Sequence, residues 1–261
     1  MAWSELGTQF CVEIAFGVLL AMAFVPKAPV GTFFYRIMGT SALVPLLLAC
    51  VMPPATGEGA WTDPPVLWAG LAVVAYPVYS GPVRGRNWVL GLALALLGCV
   101  GAVAHCVDRM ESVEGFGALA LGTFSALATG AVAGTVALAM VLGHWYLTVP
   151  NLQVSHLRRL NRVTVGAMLA SVAALGLICV YFGTTLNERD DALFGATGLF
   201  YLGTRVAVGL ALPLAFAAMV AGSLKFKNTR SATGILYAST VLVLIGTAVA
   251  LSLQDTYGVP L

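Results

Sequence analysis

Charged residues are scarce in this sequence. Only 9% of the 261 residues are charged and 59% are hydrophobic, whereas soluble domains contain about a quarter charged and roughly half apolar residues. This composition excludes an ordinary soluble domain and predicts a chain that lies largely in lipid. The first residues include Glu5 and no basic cluster, which is not typical of a cleaved secretory signal. We therefore expect the first hydrophobic segment to remain in the mature protein.

The short motifs of several enzyme classes are also missing. There is no GxxxxGK[ST], HExxH, GxSxG or CxxC pattern, so nucleotide-driven pumping, zinc proteolysis, serine hydrolysis and simple thiol redox chemistry lack support. Nothing resembles a nucleic-acid-binding module, and we expect no nucleic-acid partner. The five cysteines are odd in number and lie mostly in apolar runs, which favours free thiols. Cys50 and Cys106 could be bridged if their helices are neighbours.

Long hydrophobic runs dominate what is present. A helix needs about 20 residues to cross the hydrocarbon layer, and eight segments approximately meet this requirement. They span residues 8–25, 33–52, 65–80, 88–107, 116–147, 163–183, 192–224 and 232–253. We predict an all-α, polytopic membrane bundle with eight transmembrane helices, forming one integral membrane domain over residues 1–261.

The charges of the connecting segments alternate along the chain. The odd-numbered connections have basic and no acidic residues. Lys27 and Arg36 flank the first, and the others hold Arg84 and Arg86; Arg158, Arg159 and Arg162; and Lys225, Lys227 and Arg230. The three even-numbered connections each have a net charge of −2. Because basic residues near span ends stay in the cytoplasm, this pattern predicts that both termini are non-cytoplasmic. We expect the protein in the inner (plasma) membrane of a bacterium, in contact with the lipid bilayer.

Two of the runs, residues 116–147 and 192–224, exceed 30 residues. Splitting only one of them into a hairpin would reverse every later connection and place a basic cluster outside. We therefore interpret each as one helix that tilts or projects beyond the membrane. Pro213 is expected to kink the second.

Two charges, Glu13 and Arg205, lie inside predicted spans. An ionisable side chain in hydrocarbon costs several kcal/mol unless it is paired or hydrated, so both are expected to face the bundle interior. The predicted spans place Glu13 about 8 to 9 Å and Arg205 about 20 Å from the outer ends of their helices. The two could form a pair or share a polar pocket. Such a pair could fix helix register, or it could serve proton transfer or anion binding.

A second group of candidates lies at the cytoplasmic end of the bundle. His144 follows Met140 and smaller residues on one face of the fifth span, where it could ligate haem iron or hydrogen-bond a quinone. The alternative is an interfacial anchor formed by His144, Trp145 and Tyr146 at headgroup depth. Together with Tyr35 and Arg36, His144 and Tyr146 form our candidate cofactor site for a quinone or haem b.

A haem with two histidine ligands is not predicted. His105 lies at the outer end of the fourth span and His144 at the inner end of the fifth, so most of the roughly 30 Å hydrocarbon layer separates them. His156 is on the correct side, but we expect it in a loop beside Arg158 and Arg159, where contact with lipid headgroups is the simpler interpretation. Any haem on His144 would therefore need an external or unusual second ligand.

These observations lead to three hypotheses of function. The first is a membrane subunit of a redox or electron-transfer complex, with a quinone or b-type haem near the cytoplasmic face. Short loops imply that catalysis would occur in partner subunits, either membrane-bound or peripheral, rather than in a stand-alone enzyme. The second is a secondary transporter or channel that uses Glu13 and Arg205. The third is an assembly or scaffold subunit without its own chemistry. Eight spans with both ends outside is similar to some quinone-linked membrane anchors of bacterial oxidoreductases, in architecture alone.

Overall fold

The fold is given by a computed structural model that describes residues 3–25, 32–76, 85–149, 152–187 and 192–261. Within these ranges the chain is helical and contains no strand. Seven of the described helices are long and apolar enough to cross a membrane. This architecture agrees with the predicted helical membrane bundle.

The helices follow the hydrophobic runs of the sequence, because a backbone in lipid must satisfy its hydrogen bonds internally. They are α1 (Trp3–Phe24), α2 (Thr32–Thr56), α3 (Pro64–Ala75), α4 (Arg86–Asp108), α5 (Gly115–Thr148), α6 (Ser155–Tyr181), α7 (Gly183–Asn187), α8 (Ala196–Val206), a π-helical turn (Ala207–Ala211), α9 (Leu212–Lys225) and α10 (Thr229–Tyr257). The apolar helix α3 has 12 residues, and residues 77–80 of the third predicted span lie outside the described ranges. So do Lys27, Arg84 and residues 188–191 of the predicted connections.

One boundary differs clearly from the prediction. Helix α6 begins at Ser155, eight residues before the predicted span, so His156 lies in a helix and the prediction of a loop there was wrong. The physical reason is that hydropathy detects the part of a helix in hydrocarbon, whereas helical structure extends past it. Two cationic or polar side chains secure this first part: Arg158 Nη2 donates to the Leu224 carbonyl at 3.1 Å, and Asn161 Nδ2 donates to the Ala217 carbonyl at 2.9 Å.

The two long runs are each continuous, as predicted. Helix α5 has 34 residues, and the π turn joins α8 to α9 in one 30-residue apolar helix. Pro213 lies in the first turn of α9, directly after the π turn. Proline lacks a backbone N–H and cannot complete the regular helical ladder, and a π turn is one way for the helix to accommodate that defect.

Helices α5 and α1 form the centre of the bundle. In their most apolar windows 78% and 67% of the residues are buried, compared with 28% to 39% in the other five long helices. Glycines allow the two backbones to meet: a Cβ at Gly17 would overlap the carbonyl of Gly130, and one at Gly134 would overlap the backbone of Gly17. The GxxxG pattern at 130–134 therefore serves packing within the chain.

The outer surface of the described helices is apolar. Large side chains such as Leu67, Val74, Leu97, Val180 and Phe200 are exposed. On a soluble protein such patches would favour aggregation, but on a membrane bundle they are the surface that contacts lipid tails. All five cysteines are free thiols, so Cys50 and Cys106 are not bridged.

Candidate functional site

Glu13 lies at the centre of the bundle, on the face of α1 that meets α5. Its exposed fraction is 2%. Gln9, Glu13 and Gly17 share this face because they are spaced by four residues. A Cβ at Gly130 would clash with the backbone of Glu13, so the same glycine contact that joins the two helices brings Glu13 against α5. Because α1 begins at Trp3, Glu13 is about 15 Å into the helix, deeper than the predicted span indicated.

The Glu13 carboxyl belongs to a hydrogen-bonded group of three side chains. Gln9 Nε2 donates to Glu13 Oε1 at 2.7 Å and to Gln254 Oε1 at 3.0 Å, and Gln254 Nε2 donates back to Gln9 Oε1 at 2.6 Å. All three residues are buried. The group therefore links α1 to α10 and gives the carboxyl oxygen a donor in a region without bulk water, where an unsatisfied polar atom would cost several kcal/mol.

Arg205 is held by two hydroxyl groups. It lies in the last turn of α8, and its exposed fraction is 1%. Its Nη2 donates to Thr129 Oγ1 on α5 at 2.8 Å and to Ser171 Oγ on α6 at 3.1 Å. The Nε atom is buried and has no hydrogen-bond partner. A guanidinium is always charged in proteins, so a full positive charge is buried among neutral polar groups.

Glu13 and Arg205 interact electrostatically without direct contact. Each influences the charged form of the other, but no ion pair within 4.0 Å joins these two described residues. Beside Glu13 lies a small cavity lined by Glu13, Thr129, Thr247 and Gln254, among others, but not by Arg205. About 10 Å³ of it is accessible to a water-sized sphere, close to the minimum for one water molecule. The direct ion pair is therefore not formed, and Thr129, which accepts from Arg205, also lines the cavity beside Glu13.

We refer to these six side chains as the buried polar cluster: Gln9, Glu13, Thr129, Ser171, Arg205 and Gln254. Sequence reasoning found its two charges and missed its four neutral members. Gln9 had a usable signal, since it lies one turn before Glu13 on the same helix face. Thr129 and Ser171 had none, because small hydroxyl residues are common in helix contacts within membranes.

The candidate cofactor residues have separate partners. His144 is exposed, and its Nδ1 lies 3.2 Å from the hydroxyl of Tyr237 on α10. Tyr146 donates to the carbonyl of Gln153, and Tyr35 donates to the carbonyl of Val25 at 3.3 Å. Arg36 is exposed on α2. Sequence reasoning missed Tyr237, whose contact with His144 spans 93 residues.

Trp145 brings the ends of two helices together beside these residues. Its ring lies 5.6 Å from that of Phe34 and 5.8 Å from that of Phe33. The start of α2, which carries Tyr35 and Arg36, is therefore adjacent to the end of α5, which carries His144 and Tyr146. The four candidates occupy one end of the bundle, where His144, Tyr146 and Tyr35 have different hydrogen-bond partners.

His105 and His144 are not brought together as two ligands for one haem. His105 is in the last turn of α4, near the start of α5, whereas His144 is 29 residues after that start, which corresponds to about 43 Å along a helix. Among the described residues no group of three or more histidine, cysteine or acidic side chains could hold a metal ion.

Comparisons with known protein families, with curated proteins and with solved structures find no match for this chain. Function must be argued from the geometry of its own residues.

Proposed function

We propose that this protein is a secondary transporter or channel in which Glu13 takes up and releases a proton. The observation that carries the proposal is a carboxyl group that is deeply buried, lines a water-sized cavity and lacks a direct cationic partner. A carboxylate in hydrocarbon is expensive unless it is paired or hydrated, and protonation removes that cost. Intramembrane acids of this kind commonly form proton relays.

A purely structural ion pair would have a different geometry. Arginine and carboxylate side chains that hold helices in register commonly form close, often bidentate contacts. Here Glu13 is bonded to an amide and Arg205 to two hydroxyls. Each charge is supported separately, so the carboxyl group can change its protonation state without breaking a bond to the guanidinium.

The π turn next to Arg205 is a second feature that suits a transporter, because it is a place where the helix could change conformation. It lies directly after α8, and the opposed residues Gly209 and Gly246 bring its backbone close to that of α10. Interrupted helices near buried charges are typical of secondary transporters, and π turns occur frequently at functional sites. The π turn and the close approach of Gly209 to Gly246 therefore form an irregular helix contact without intervening side chains, next to the Arg205 guanidinium.

The proposed topology has eight spans, with α3 and the residues that follow it as the third, and both termini outside a bacterial inner membrane. With α1 and α8 both starting at the outer surface, Glu13 and Arg205 lie about 15 and 14 Å from their helix starts. These similar depths agree with an electrostatic interaction between the two side chains across a short distance without direct contact.

Thiol labelling of whole cells will check this orientation. We expect a membrane-impermeant reagent to label Glu111→Cys in intact cells and Arg159→Cys only after permeabilisation, because both positions are exposed and lie in oppositely charged segments. The unsubstituted chain, with its five free cysteines, supplies the background. Labelling of Arg159→Cys in intact cells would invert the topology.

Reconstitution into liposomes tests the function directly. We expect the purified protein to accelerate proton entry along an imposed pH gradient, reported by a pH-sensitive dye in the lumen, relative to protein-free liposomes. Rates equal to those of protein-free liposomes, under both inward and outward gradients and in the presence of chloride, would eliminate proton coupling.

A second candidate is the membrane subunit of a redox complex. The observation in its favour is His144, which is exposed and has Tyr237 at Nδ1, while Nε2 has no hydrogen-bond partner among the described residues. Such a nitrogen is free to bind a quinone carbonyl, or a haem iron whose second ligand comes from a partner subunit.

Purification from the native membrane in mild detergent distinguishes this candidate. It predicts a Soret band or an extractable quinone that is lost in His144→Ala and kept in His156→Ala. A colourless, quinone-free protein that is unchanged by His144→Ala would exclude it. Copurifying subunits without a cofactor would instead favour a scaffold role.

A further inference from the structure

The positive charge of Arg205 is not neutralised by any direct contact. Its hydrogen bonds go to the neutral hydroxyls of Thr129 and Ser171, and its Nε has no partner at all. Buried charges in proteins are ordinarily paired. An unpartnered donor on a fully buried cation is the feature expected of a site that receives an anion.

The two hydroxyls around Arg205 can serve the same purpose. Thr129 and Ser171 each accept a hydrogen bond from Nη2, which leaves each hydroxyl with a proton to donate. Neither hydroxyl donates to another described residue. Thr129 also lines the cavity that Glu13 lines. Guanidinium N–H and hydroxyl O–H groups together are a donor set for a small anion.

Thr129 connects Arg205 to the cavity beside Glu13, whose lining includes neither Arg205 nor Ser171. The accessible volume of this cavity is about 10 Å³, which corresponds to about one water molecule. An anion at Arg205 therefore requires side-chain movement, which favours a halide or an anion of a few atoms over a sugar acid.

Charge balance then couples the anion to the proton. With Glu13 ionised, the cluster holds one negative and one positive charge and needs no further ion. Protonation of Glu13 leaves Arg205 with an uncompensated positive charge, which an anion neutralises. By linkage, an anion at Arg205 must raise the proton affinity of Glu13 by the same factor by which the proton raises the anion affinity.

We propose that Arg205, Thr129 and Ser171 bind a small monovalent anion that crosses the membrane together with the proton on Glu13. This inference rests on the proposed function and adds its second substrate. The transported unit, one proton and one anion, is electrically neutral, so its movement is independent of membrane potential.

The experiment uses the full chain in liposomes with a lumenal pH dye. External chloride or nitrate, with gluconate inside, should drive lumenal acidification that valinomycin and potassium do not alter. Based on usual coupling strengths, we expect protonation of Glu13 to raise the affinity for the anion about 5- to 150-fold. The Glu13-dependent proton rate should therefore be higher with chloride outside than with gluconate on both sides. Chloride and nitrate distinguish a site for single-atom anions from one that also accepts planar ones.

Variants assign the effect to the site. Thr129→Val keeps the side-chain volume and removes the hydroxyl, so it should weaken the dependence on chloride while the protein still folds. Arg205→Lys keeps the charge and loses the planar fork, and it should shift selectivity among anions. Arg162→Gln removes an exposed cation of a neighbouring helix and should behave as the unsubstituted protein.

The outcomes separate the two proposals. Glu13-dependent proton flux that is equal in chloride, nitrate and gluconate overturns the anion site and leaves the proton function standing. If the anion effect is unchanged in both Thr129→Val and Arg205→Lys, the anion binds elsewhere. The assignment of the anion site to Arg205, Thr129 and Ser171 is then overturned. Absence of flux in every anion removes both proposals.

Discussion

Glu13→Gln is expected to reduce proton movement through reconstituted protein to the rate of protein-free liposomes. Glutamine has nearly the same shape and can still accept the hydrogen bond that Gln9 Nε2 donates, but it cannot exchange a proton in the relevant pH range. The folded structure should therefore persist. Proton flux is measured with a lumenal pH dye, and folding is checked by circular dichroism and size-exclusion chromatography.

The matched control is Glu111→Gln, which removes an acid from an exposed connection. It should leave the flux unchanged. Infrared spectroscopy gives an independent readout, because the carboxyl band that changes with pH in the buried interior should vanish only in Glu13→Gln. Undiminished flux in a well-folded Glu13→Gln protein would show that the proton takes another route.

The second large effect is on stability. Gly130→Val should destabilise the protein by about 3 kcal/mol, near the upper end of the usual cost of overpacking. The added side chain would clash with the backbone of Glu13, and a backbone cannot move aside by changing a rotamer. Unfolding in sodium dodecyl sulfate, followed by circular dichroism, measures the loss.

Gly176→Val provides the same substitution in an open position, since a Cβ there meets nothing within 4 Å. Its effect on stability should be within about 0.5 kcal/mol of zero, because valine has a slightly higher helix propensity than glycine. Equal destabilisation by both variants would mean that the contact between α1 and α5 is looser than the structure shows. Because Glu13 sits on the same contact, Gly130→Val should also lower proton flux.

The membrane-length helices were predictable because lipid imposes a simple rule on composition. Apolar runs of sufficient length gave α1, α2, α4, α5 and α10 within a few residues, and the charge pattern kept the two long runs undivided. The rule failed at Ser155, where α6 begins among cationic residues. That part of the helix is stabilised by contacts with Leu224 and Ala217, which are distant in sequence.

The candidate site was predictable only through its charges. Glu13 and Arg205 stand out because an ionisable residue in an apolar run is costly and is usually paired or functional. Their partners could not be found in the same way. The bond between Gln9 and Gln254 spans 245 residues, and no local pattern encodes which two helices of a bundle become neighbours.

The paired amides of Gln9 and Gln254 also constrain how the protein is made. At about 5 to 20 residues per second, the ribosome reaches Gln254 roughly 12 to 50 s after Gln9 has been synthesised. During that interval Gln9 can already donate to Glu13 in the same helix, but its amide lacks the partner on α10. The polar interior of α1 is therefore completed only after α10 has been synthesised.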